Sequence, residues 1–288
     1  MSIRFSRGLL YLVSLLLLVA AAAGYTALNR WQRATIFSVE LGEARWAREA
    51  PAGTQAYFLE TPDKEQVHAW YIAGKSADAP TVLYLHGSRW NLNSSVFRIE
   101  RWLEMGYALL AIDYRGFGES TPRLPSQSSA IEDALTAINE LARVQPDPSR
   151  RFVYGHSLGG AIAAMATAQQ GRPAIAGLIL ESTFTNITDM ISTSRWADIP
   201  GLEWLVTQPF DTERALARQA LPTLVMHGTS DRVVPHAMSD QLFDAAQRNP
   251  HPANRLVKFE FASHSGASRT AGYDEAVTAF INAVTASR

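Results

Sequence analysis

An α/β fold, with a mostly parallel sheet and helices on both faces, is what the residue pattern of this chain predicts, and three observations carry that expectation. From Thr81 onward, short β-branched and aromatic runs alternate with longer helical segments. One of those runs, Arg151–Tyr154, leads straight into a glycine-flanked serine and an Ala-rich helix start, Gly155-His156-Ser157-Leu158-Gly159-Gly160-Ala161. Hydrophobic residues at 47% against charged residues at 18% describe a chain that buries a large core and leaves little to disorder. At 288 residues there is room for one such domain and a small accessory segment.

In chain order, the uncharged apolar run Gly8–Leu28 comes first. At about 1.5 Å per residue it reaches across the roughly 30 Å hydrocarbon core, so an N-terminal transmembrane helix is expected. Arg4 and Arg7 before it favour a cytoplasmic N-terminus and a catalytic domain on the extracytoplasmic side, while Arg30 and Arg33 after it oppose that orientation. A cleaved signal peptide, leaving a secreted or periplasmic product, is the competing reading, because Ala21-Ala22-Ala23 resembles a cleavage site. Residues 1–28 are thus assigned to the anchor or signal peptide and 29–52 to a linker carrying Trp31 and Trp46. Residues 53–288 form the α/β domain, with a small cap insertion at about 183–213.

Within that domain, Gln55–Glu60 and Gln66–Ala73 flank the turn Thr61-Pro62-Asp63-Lys64 and read as a hairpin. Alternating units follow: Thr81–Leu85, a helix near Ser94–Glu104, Tyr107–Ile112, a helix near Ser128–Val144, Arg151–Tyr154, a helix from Leu158, and Ile175–Leu180. Alternation lapses over Thr183–Phe210, where Phe184, Trp196, Trp204 and Phe210 are scattered without a period, so an insertion over an apolar acyl pocket is expected there. It resumes with Thr223–Met226, a helix near Met238–Gln247, Leu256–Phe261 and a last helix near Tyr273–Thr285.

The glycines around Ser157 suit a nucleophile held on a tight strand-to-helix bend, where neither flank has room for a Cβ. A serine hydroxyl needs a base, normally a histidine oriented by a carboxylate. Of seven histidines, His264 follows the last strand in a loop that opens at the same sheet edge as Ser157. His68, His86, His156, His227, His236 and His251 read as structural or loop-shaping, with His156 directed away from the site by the turn geometry. For the carboxylate, Asp231 lies in a polar turn after Thr223–Met226, and Glu181 ends the preceding strand; Asp231 is the better placed and Glu181 the alternative. The backbone amides of Ser88, after Gly87, and of Leu158, at the positive end of its helix, are the expected oxyanion donors.

These motifs resemble the α/β-hydrolase-fold serine hydrolases, in particular the membrane-anchored Bem46-like and ABHD13-like group. The carriers are Leu83-Tyr84-Leu85-His86-Gly87, Asp113-Tyr114-Arg115-Gly116-Phe117-Gly118-Glu119-Ser120, the Ser157 motif, His227-Gly228-Thr229-Ser230-Asp231-Arg232-Val233-Val234-Pro235 and His264-Ser265. The resemblance implies Ser157, Asp231 and His264 as the triad and the amides of Ser88 and Leu158 as the oxyanion hole. It also implies a structural role for Asp113–Ser120. Ser88-Arg89-Trp90 departs from the small or amide residues such relatives often carry there, which bears on the acyl pocket lining.

The expected activity is hydrolysis of a carboxylic ester or thioester through an acyl-enzyme, on a small-molecule or lipid-like substrate. Amide or peptide cleavage is one alternative, and a non-catalytic membrane-tethered binding module is another. No cofactor is expected. With a net charge of −1, no basic run and no cysteine, neither a nucleic-acid partner nor a thiolate metal site is expected.

Overall fold

The computed structural model describes residues 7–39, 46–194 and 196–286. Arg4 therefore lies outside the described residues, as does part of the 29–52 segment. The first element is a single helix, α1 (Arg7–Phe37), which continues without a break beyond Leu28, where the uncharged run ends. Its section Tyr11–Phe37 is long and apolar enough to cross a bilayer.

Strands β1 (Gln55–Glu60) and β2 (Gln66–Ile72) form the expected antiparallel hairpin, with Glu60 opposite Gln66. Then follow β3 (Thr81–Leu85), α2 (Leu92–Glu104), β4 (Ala108–Ile112), α3 (Gln127–Val144), β5 (Arg151–His156), α4 (Leu158–Thr167) and β6 (Gly177–Glu181). After the insertion, which carries the short α5 (Ile187–Ser192), come α6 (Thr212–Ala217), β7 (Thr223–Gly228), α7 (Met238–Ala246), β8 (Arg255–Phe259) and α8 (Tyr273–Ala286). Helix starts carry their local signals. The Asn91 side chain accepts from the Ser94 amide ahead of α2, and Ser126 and Ser129 cap α3 reciprocally.

The strands make one eight-stranded sheet in the order β1-β2-β4-β3-β5-β6-β7-β8, parallel from β4 to β8 and antiparallel at β2. Side chains alternate across it. Leu83, Leu85, Val153, Leu178 and Leu180 face a core that includes α3 and α4, whereas Val82, Tyr84, Phe152, Tyr154 and Ile179 face a core closed by α2 and α8. That two-sided burial is why the parallel strands read as nearly continuous apolar runs.

Order reverses at β3, since β4 lies on one side of it and β5 on the other. Open parallel sheets of this kind leave a crevice at the carboxyl ends of the strands beside such a switch point. β5 ends there, and Ser157 follows it.

Candidate active site

The bend after β5 holds Ser157 at φ 55° and ψ −122°, a conformation that costs a non-glycine residue about 1–3 kcal/mol. The surroundings enforce it. A Cβ at Gly155 would lie 2.3 Å from the Gly159 carbonyl oxygen, and one at Gly159 would lie 2.1 Å from that of Leu85. The Ser157 amide donates to the Glu181 carbonyl at 2.9 Å, and Thr183 Oγ1 donates to the Ser157 carbonyl at 2.7 Å. The backbone is thus tied to β6 on one side while the hydroxyl faces out.

That hydroxyl meets His264. Its Oγ is 3.0 Å from His264 Nε2, and His264 Nδ1 donates to Asp231 Oδ2 at 2.7 Å. The imidazole is partly exposed, whereas Asp231 is fully covered. The fold therefore brings Ser157, His264 and Asp231, as expected from the sequence, into one hydrogen-bonded row. With Nδ1 carrying the proton, Nε2 keeps the lone pair that can accept the serine proton.

Asp231 is held more fully than its sequence position suggests. Oδ1 accepts from the amides of Val233 at 2.8 Å and Val234 at 2.9 Å, and His227 Nε2 donates to Oδ2 at 3.0 Å. Burial alone would push this carboxyl up, but the bonds from His227, His264 and the Val234 amide outweigh it and hold the group well below the ordinary carboxylate range. His227, expected only to shape a loop, is thus a second histidine on the same carboxylate oxygen.

Glu181 lies elsewhere. On the α2 side of the sheet, its Oε1 accepts from Arg98 Nη2 at 2.9 Å, and its Oε2 accepts from Tyr154 at 2.6 Å and Tyr273 at 3.0 Å. All four side chains are buried. The structure does not bring Glu181 to His264.

His156 departs from expectation. Its ring lines the cleft beside Ser157, stands 5.1 Å from the His264 ring, and its Nε2 donates to the His264 carbonyl at 3.0 Å. Burial, followed by the positive charge of Arg98, drives its basicity well down, so this imidazole stays neutral.

The Ser88 amide lies in the loop after β3. There a Cβ on Gly87 would sit 3.3 Å from Ser157 Cβ, so this loop packs closely against the serine. The Leu158 amide is the first of α4 and has no carbonyl a turn back within that helix. Arg89 takes a left-handed φ of 72°, and its amide donates to the Phe37 carbonyl of α1 at 2.8 Å. The cleft so formed has a volume of about 680 Å³. Among the described residues lining it are Arg89, Trp90 and Arg232, but no carboxylate-bearing side chain.

Comparison with known proteins shows the family. The alpha/beta hydrolase domain-containing protein WAV2 of Arabidopsis thaliana is 32% identical over 222 residues, 72% of this chain and 71% of that protein. The chain belongs to the α/β-hydrolase family. A hydrolase family model described as serine aminopeptidase, S33, matches residues 77–210 of this α/β hydrolase, which include Ser157 but neither Asp231 nor His264. The lysophosphatidylserine lipase ABHD12 of Danio rerio is 29% identical over 216 residues, 68% of this chain and 55% of that protein. Among solved structures, the Pyrococcus furiosus esterase Pf2001 superposes with a TM-score of 0.62 at 18% identity, over 85% of this chain and 99% of that one.

The insertion differs from its expected form. Phe184 and Phe210 are buried in the core, while Trp196 and Trp204 are exposed. An apolar cavity of about 350 Å³ does lie against the insertion, but α1 forms its other wall, and it shares no lining residue with the cleft at Ser157.

Proposed function

We propose that this α/β hydrolase is a membrane-anchored serine hydrolase that cleaves carboxylic esters through an acyl-enzyme. The observation that carries this reading is the continuous row Ser157 Oγ, His264 Nε2, His264 Nδ1, Asp231 Oδ2, with contacts of 3.0 and 2.7 Å. A row of this kind supplies nucleophile, base and orienting carboxylate together.

The steps follow from those atoms. Ser157 Oγ adds to the ester carbonyl carbon as His264 Nε2 takes its proton, and the carbonyl electron pair moves onto oxygen. The amides of Ser88 and Leu158 are the donors proposed to hold that oxyanion. Collapse breaks the bond to the leaving alcohol, whose oxygen takes the proton from His264. Water then repeats the sequence on the acyl-serine and releases the acid, while ionised Asp231 keeps the ring in the productive tautomer and stabilises the imidazolium.

Ester is favoured over an aminopeptidase reaction by the charge of the cleft. A substrate with a free α-ammonium needs an anionic partner, whereas Arg89 and Arg232 line this cleft without a carboxylate side chain among the described residues. The substrate proposed is an acyl ester, lipid-like as in the named lipase relative, with negative charge near the scissile bond. The anchor is α1, retained rather than cleaved, with the catalytic domain extracytoplasmic.

Purified protein offered matched pairs of acyl esters and acyl anilides, each with and without a carboxylate on the leaving group, tests the reading. The expected result is that kcat/KM is highest for the anionic ester. Preferential turnover of the acyl anilides would point to amide-bond cleavage instead.

A further inference from the structure

We propose that the cavity between the last turns of α1 and the insertion is a groove that seats one acyl chain of a bilayer phospholipid. The inference rests on the membrane-anchor part of the functional reading and is independent of the triad.

The first argument is length. α1 has 31 residues, about 46 Å at ~1.5 Å per residue, against a hydrocarbon core of roughly 30 Å. If Arg7 marks one edge of that core, its other edge falls near Leu28, and the stretch from there to Phe37 stands in the headgroup region. The α1 residues lining the groove are Leu28, Trp31, Gln32, Thr35 and Ile36, all within that stretch. Their spacing of three and four is one face of a helix, so the lipid-facing surface of the span runs directly into the groove wall.

The second argument is composition. Met190, Ile191 and Ile199 of the insertion make the opposite wall, and the one long polar side chain on the α1 face is already bonded. Gln32 Nε2 donates to the Leu205 carbonyl at 2.7 Å, and its Oε1 accepts from the Thr207 amide at 2.8 Å. These bonds pin the insertion to α1 and leave the space between them apolar. Its volume of about 350 Å³ lies within the range of ligand sites.

The third argument is the rim. Of the residues that line the groove, Trp31 is 59% exposed, Trp196 43% and Ile199 46%. Indole rings clustered beside a membrane span are the side chains that partition to the headgroup boundary. A water-facing groove with such a rim would leave a large apolar patch in solvent, whereas a groove that begins at Leu28, at the edge of the hydrocarbon core, can take an acyl chain drawn up from that core.

The groove also touches the chemistry. Ile36 lines it, and the next residue, Phe37, packs edge-on against Phe210 and accepts from the Arg89 amide at the cleft. A chain in the groove therefore lies against the same helical turn that supports the loop packed against Ser157.

The test uses the full chain in phosphatidylcholine vesicles that contain a phosphatidylcholine with a diazirine at the end of one acyl chain. After irradiation, labelled peptides are mapped by mass spectrometry, and carbonate extraction reports anchoring separately. Label is expected on peptides covering 187–206 as well as on 11–27. Thr35→Trp and Ile191→Trp, which fill the groove from opposite walls, should each reduce the 187–206 label several-fold and spare the 11–27 label; unfolding midpoints confirm that each variant is folded. Label on 11–27 alone, or 187–206 label indifferent to both variants, would overturn the groove. Release by carbonate would overturn the anchor and the groove with it. Because the chain has no cysteine, Ile191→Cys also reads the rival occupant: a disulfide dimer with no lipid label on 187–206 would give the groove to a second copy.

Discussion

Glu181 ends β6 and Asp231 follows its parallel neighbour β7, and both side chains are shut off from solvent. What differs is who holds them. Glu181 is bonded to Arg98, Tyr154 and Tyr273, none of which exchanges a proton near neutral pH. Asp231 is bonded to two histidines and two amides. Burial is common to both sites, so it does not distinguish them. The distinction comes from whether one of the partners reaches out of the core to the Ser157 hydroxyl, as His264 does.

Exchanging the charge at each site is the strongest way to break this comparison. Asp231→Asn should lower kcat by about 10⁴ through loss of the tautomer-setting acceptor, with the fold retained. Glu181→Gln should leave kcat within an order of magnitude but lower unfolding free energy by about 3–5 kcal/mol, because Arg98 is then a buried charge without its counter-ion. Steady-state kinetics and urea unfolding on both variants decide it, and the reversed pattern would assign the roles the other way round.

A smaller effect sharpens the account of Asp231. His227→Phe removes one charge-assisted hydrogen bond to Oδ2, of about 1.5–3 kcal/mol, so kcat should fall by roughly tenfold to a hundredfold with little change in KM. An unchanged kcat would mean that His264 and the two amides orient the carboxylate unaided.

The smallest effect concerns His156. Its pKa is lowered on folding, so between that value and about 6.5 the unfolded chain binds more protons than the folded one. Stability should therefore be fully present above about pH 6.5 and decline as pH falls, by at most about 1.4 kcal/mol per unit from this group. His156→Gln should flatten that slope. Unfolding curves from pH 7 to 5 measure it, and identical slopes would show that His156 contributes none of the decline.

Most of the fold was legible because two-sided burial writes β3 to β7 as apolar runs that alternate with longer helical segments. Ser157, Asp231 and His264 were legible for a related reason: each sits just beyond a strand at the same sheet edge, so topology alone gathers them. His156 and His227 were misread because a ring's direction is not encoded locally. The partner of His156 is 108 residues away. The extension of α1 past Leu28 was hidden by Arg30, Gln32 and Arg33, which look like the end of a span. In the fold, Gln32 bonds the insertion, and Arg33 donates to the carbonyls of Pro125, at 2.8 Å, and Leu124. Polar residues that would stop a helix at a membrane surface here fasten it to the domain.

The central claim is that Ser157 is the nucleophile that His264 activates. Intact-mass analysis after exposure to a fluorophosphonate tests it most directly. One covalent adduct on the wild-type chain, mapped to the Ser157 peptide, and none on folded Ser157→Ala is the result expected. An adduct that persists on Ser157→Ala, or maps to another residue, would contradict the account.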